Sequence, residues 1–214
     1  MSIRFRPSPR EKLADDIVHV LGITSGVVGA CVLLGWAAVK LPGTSTAALA
    51  VYCMGLLAML GCSGAYHMSS RTTAWKGLLR RLDHAAIFVK IAGTYTPFAL
   101  LKMGGTAGLG LFILVWAVAL LGAAAKLLLA ARWDRLAIGV YLALGWSGVA
   151  TLQPLAGSIA PEVLVLLAAG GIVYSIGVVF FVWESLPFHN AIWHAFVLLG
   201  TACHFGAIAI AVAH

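Results

Sequence analysis

Apolar residues run along this chain in long unbroken stretches, separated by short polar or basic segments. A membrane-spanning helix needs about 20 mostly apolar residues, and the pattern predicts seven. They run from Ile17 to about Val39, Thr46 to His67, Asp83 to Leu101, Thr106 to Leu128, Leu136 to Leu155, Glu162 to Trp183, and Asn190 to the C-terminus. Pro97 is expected to bend the third, and the signals Gln153-Pro154 and Gly157-Ser158 to close the fifth. Transmembrane barrel strands would instead alternate apolar and polar residues in segments of about ten, and no such alternation occurs. The expectation is an all-α polytopic membrane protein: a polar arm over residues 1–16 and a seven-helix transmembrane domain over 17–214, without linker or internal repeat.

Composition supports this class. Hydrophobic residues make up 62% of the chain and charged residues 10%, against roughly 45–50% and 25% in soluble domains. The net charge of +7 does not point to nucleic acid, because the cations cluster between apolar runs, as in loops facing an anionic leaflet. With the N-terminus placed in the cytoplasm, Arg4, Arg6, Arg10, Lys12, Arg71, Lys76, Arg80, Arg81, Lys126, Arg132 and Arg135 lie inside, and only Lys40 and Lys102 outside. This bias predicts an N-in, C-out topology. The four cysteines lie in apolar runs with no CxxC pair and read as reduced, buried thiols.

Ionisable residues inside a membrane are costly, so each asks for a reason. The topology brings several to one depth: Ser63 and His67 at the end of helix two, Asp83 and His84 at the start of helix three, and His189, Asn190 and His194 at the start of helix seven. Ser63 and His67, four apart, share a helix face. Two or three neutral imidazoles with a nearby carboxylate suit Zn²⁺ and a metal-held water. Hydrogen-bonded structural histidines near the headgroups are the other reading. His19 reads as an isolated, satisfied polar residue of helix one, and Lys90 as either a snorkelling or a cavity-lining side chain.

Three segments carry a resemblance: SGAYH (63–67), RLDHAAIFVKIAGTYTP (81–97) and NAIWHAFVLLGTACHF (190–205). Together they resemble the haemolysin III family, part of the progestin and adipoQ receptor superfamily and more distantly related to alkaline ceramidases. The resemblance implies a zinc ion near the cytoplasmic side, held by one histidine of helix two and two of helix seven. It also implies a helix-three aspartate that positions a water and a serine that supports the site. By position these are His67, His194, Asp83 and Ser63. The second helix-seven ligand departs from the pattern, since Asn190 stands four residues before His194 and the nearest histidine is His189. Five residues turn a helix onto another face unless it begins after His189, which Pro187 allows. His189, Asn190 and water all remain open as the third ligand. His204 matches a recurrent family histidine, but ten residues from His194 is about 15 Å along a helix.

Zinc lowers the pKa of a bound water and polarises a carbonyl. Asp83 would accept the water's proton, and Ser63 would bond Asp83 or a developing oxyanion. The expected function is therefore hydrolysis of a lipid amide or ester in the cytoplasmic leaflet, at the inner membrane of a bacterium. A haemolysin-like pore or membrane-perturbing protein, and a receptor with a structural zinc, are the alternatives.

Overall fold

In hydrocarbon every backbone N–H and C=O needs an internal partner, which favours helices for apolar runs of this length. A computed structural model of the chain describes residues 8–70, 74–129, 134–151, 157 and 159–213. Arg4, Arg6, Arg71, Arg132, Leu155 and the Gln153-Pro154 pair lie outside the described residues. The described elements are all helical: α1 Pro9–Lys40, α2 Gly43–Met68, α3 Lys76–Pro97, α4 Gly105–Leu128, α5 Asp134–Trp146, α6 Pro161–Val182 and α7 His189–Ala213. Six of the helices are long and apolar enough to cross a membrane, and the fifth is shorter. The protein is an all-α polytopic membrane protein.

Two departures from the expected spans matter. First, α1 begins at Pro9, well before its apolar run. Ser8 accepts from the Glu11 N–H while the Glu11 side chain accepts from the Ser8 N–H, a reciprocal capping box with Pro9 opening the helix. Second, α5 passes into a 3₁₀ segment, Ser147–Thr151. Because 3₁₀ turns rise further per residue, Asp134–Thr151 still extends about 30 Å.

Pro97 does not stop α3. The chain continues as a π-helical segment, Phe98–Met103, that closes with Gly104 N–H donating to the Ala99 carbonyl. Gly104 and Gly105 then turn back into α4 at φ +61° and +57°, a region that favours glycine.

Helix α3 is the most enclosed element, with 61% of its apolar window buried against 22% for α1 and α4. It packs on α2 and α4, while α1 lies against α2 and α7, and α7 against α6. Small residues dominate these contacts: Ala30, Ala37, Ala48, Ala85, Ala86 and Ala92 are buried. Large side chains such as Val32, Val39, Leu114, Leu121 and Val165 face outward. That inversion suits a lipid-facing exterior and close helix approach. Gly22 and Gly26 of α1 sit against Leu198 of α7 and Leu60 of α2, as their small-xxx-small spacing suggests.

Helices α2 and α3 approach backbone to backbone. A Cβ on Gly55 would stand 3.0 Å from the Val89 carbonyl oxygen and 3.3 Å from Lys90 Cα. Backbone cannot yield as a side-chain tip does, so Gly55→Leu is expected to lower stability by about 1–3 kcal/mol. Thermal unfolding of the purified protein in detergent measures this, and an unchanged transition would show that the helices separate freely.

A candidate metal centre at one end of the bundle

Side chains from α1, α2, α3 and α7 meet at the end of the bundle that holds the start of α1. The capped first turns of α1 place Asp15 and His19 four apart on one face. Helix α2 delivers Ser63 and His67, α3 delivers Asp83, and α7 delivers His194. Asp15, His19, Asp83 and His194 are all buried.

Asp15 is the hub. One carboxylate oxygen lies 2.6 Å from His194 Nδ1 and the other 3.4 Å from His67 Nδ1. On the far side of the His67 ring, Nε2 is 3.9 Å from Asp83 Oδ2. His19 packs its ring 4.3 Å from that of His194 and 5.1 Å from that of His67, centroid to centroid. Its Nδ1–H donates to the Asp15 main-chain carbonyl at 2.8 Å. In the neutral ring this leaves Nε2 to accept from the Ser63 hydroxyl at 3.2 Å.

The ends of the helices are pinned. Glu11 Oε1 accepts from the Phe188 N–H at 2.9 Å, tying the start of α1 to the turn before α7. Phe188 holds a left-handed φ of +61° there. Lys76 donates to the Tyr66 and Ser69 carbonyls, closing the last turn of α2 beside His67.

One group of three among the described residues is able to hold a metal ion: Asp15, His67 and His194, each offering one donor atom, all within 4.8 Å of one another. Two imidazoles and a carboxylate make up a common metal-binding donor set. Tetrahedral ligands at about 2.0–2.1 Å stand about 3.4 Å apart, so the three need only small shifts to close on one ion.

Among the residues expected from sequence, His67 and His194 come together. Asp83 flanks His67, and Ser63 joins through His19 rather than through Asp83. His189 opens α7 and lies outside the group of three. Asp15, read as part of a polar arm, is the residue that sequence reasoning missed, and His19 is part of the cluster rather than isolated. The signal was the Ser8-Pro9-x-Glu11 start, which puts Asp15 on the helix one turn before His19.

Comparison with known proteins decides the family. The model described as haemolysin-III related matches residues 11–205. The chain belongs to the haemolysin III family. It is 36% identical to the hemolysin-3 homolog of Bacillus subtilis (strain 168), over 92% of each chain, and 34% identical to hemolysin-3 of Bacillus cereus, over 92% of this chain and 89% of that one. It is also 28% identical to the human monocyte to macrophage differentiation factor, over 96% of this chain and 86% of that protein. No solved structure matches. As a haemolysin III protein, this chain combines the expected His67 and His194 with an α1 carboxylate.

Asp15→Ala is expected to weaken divalent metal binding at least about tenfold, whereas His189→Ala leaves it unchanged. Elemental analysis of the purified variants reads both, and the opposite ranking would return the third ligand to α7.

Proposed function

We propose that this haemolysin III protein is a zinc-dependent hydrolase of a lipid amide or ester, working in the cytoplasmic leaflet of a bacterial inner membrane. The observation that carries the reading is the convergence of Asp15, His67 and His194 beside a second buried carboxylate, Asp83. His67, His194 and Asp15 would hold the zinc, with Asp15 taking the place of the second helix-seven histidine. Bound there, zinc would acidify a water and polarise a substrate carbonyl.

The chain's own groups divide the remaining work. Asp83, a second buried carboxylate 3.9 Å from His67 Nε2, would be the group to accept a proton from a water at this end of the bundle. Ser63, oriented by His19, offers a hydroxyl at the same depth. The donors lie within an apolar bundle, so a substrate that brings its own apolar chain reaches them most simply. The basic segments near this end support reading it as cytoplasmic by the positive-inside rule, which would leave the C-terminus outside with α5 as a seventh span.

A structural metal in a receptor is the second reading, and one observation favours it: the three donors come from three helices, so an ion there would tie the bundle together. Asp83 separates the two. Asp83→Asn is expected to keep its zinc and to lose lipid turnover by about 10²–10⁴-fold, measured on vesicles containing a ceramide or an ester lipid. Wild-type protein that holds zinc and hydrolyses none of these lipids would favour the structural reading. Full turnover by Asp83→Asn would remove Asp83 from the chemistry.

A further inference from the structure

Helices α1 and α7 both start at the end of the bundle that holds the metal centre, and they run side by side in the same direction. Their contacts step in order along both: Glu11 meets Phe188, Asp15 meets His194, Gly22 faces Leu198 and Gly29 faces Phe205. The last two are apolar and non-directional, so they set the spacing of the helices more than their level. Among the described residues, the hydrogen bonds from α1 to α7 or the turn before it are Glu11–Phe188 at 2.9 Å and Asp15–His194 at 2.6 Å. Directional bonds fix the level.

Phe188 is an unusual residue on which to begin a helix. Its carbonyl accepts from the Ile192 N–H at 2.9 Å, which makes it the cap of α7. It has no side-chain oxygen to offer the first N–H groups, and Pro187 before it has no N–H of its own. Its φ of +61° is one that a bulky residue holds only when its surroundings impose it. Glu11 supplies what Phe188 lacks. It accepts the Phe188 N–H and puts a negative charge at the start of α7, where the helix dipole favours one.

The same carboxylate serves α1. Oε2 accepts from the Ser8 N–H at 2.6 Å while Oε1 accepts from the Phe188 N–H, so one side chain starts both helices. Asp15 follows Glu11 by four residues, about 6 Å along the same face of α1. His194 follows Phe188 by six, about 9 Å along α7. We propose that Glu11 is a positioning residue of the metal centre: its two oxygens set the level of α1 against α7 and so bring Asp15 Oδ1 onto His194 Nδ1. Its effect on metal affinity rests on the zinc reading of Asp15, His67 and His194; its effect on the Asp15–His194 contact does not.

The test compares Glu11→Ala, Glu11→Gln and Ser8→Ala in the full-length protein, purified in detergent and stripped with a chelator. Ser8→Ala is the control, because it weakens the start of α1 and leaves the Glu11–Phe188 bond in place. Both alanine variants are expected to lower the unfolding temperature by about 3–6 °C. Zn²⁺, titrated against a competing chelator, is expected to bind Glu11→Ala about tenfold more weakly than wild type, and Ser8→Ala within about twofold of it. Glu11→Gln keeps one acceptor oxygen in place of two and is expected to fall between them. Without metal, Glu11→Ala is expected to cost Asp15→Asn protein about half the shift it causes in wild type, because neighbouring contacts couple. Equal shifts in the two backgrounds, or zinc binding by Glu11→Ala no weaker than by Ser8→Ala, would overturn the positioning role. Wild-type protein that takes up no zinc while the coupling persists would overturn the metal reading alone, and would leave Glu11 as the group that positions the Asp15–His194 contact.

Discussion

Asp15 and His194 meet at 2.6 Å with about nine-tenths of each side chain covered. In so apolar a bundle, a carboxylate at that depth persists only when its oxygens are answered. One oxygen meets α7 and the other meets His67 of α2, so the contact fixes three helices at one level. Other features serve it. The capping box starts α1 early enough to bring Asp15 into reach, Glu11 docks that start on the turn before α7, and Lys76 closes the last turn of α2 beside His67. Removing one partner of such a buried pair typically costs about 3–5 kcal/mol.

The family context gives the carboxylate its interest. The resemblance implied two helix-seven histidines, and this chain has Asn190 at one of those positions. The α1 carboxylate lies beside His67 and His194, so under the proposed zinc reading the donor set would be two imidazoles and an acid rather than three imidazoles. An anionic ligand lowers the net charge of the metal unit and makes it a weaker Lewis acid than three neutral imidazoles would. Asp83, outside the hub, keeps a separate identity as the group beside it.

Most of the fold was legible in the sequence because length and hydropathy are what the bilayer constrains. The layer formed by His67, Asp83 and His194 followed from counting spans and placing their ends. The start of α1 was not legible that way, since a hydropathy reading ends where polar residues begin. Pro9–Asp16 is a little over two helical turns held by local hydrogen bonds, and only the capping signature announces it. That boundary hid Asp15, and without Asp15 one turn earlier on the same helix His19 read as isolated. The short α5 was missed for a different reason: the 3₁₀ segment at Ser147–Thr151 depends on contacts with α3, where the Tyr95 hydroxyl receives the Gly148 N–H and donates to the Leu144 and Gly145 carbonyls.

X-ray absorption at the zinc edge of the purified protein addresses the central claim most directly. The account predicts one zinc per chain, with a first shell of two imidazole nitrogens and carboxylate or water oxygen at about 2.0–2.1 Å, and no sulfur. A shell of three imidazoles, a sulfur ligand, or protein purified without any bound divalent metal would contradict it.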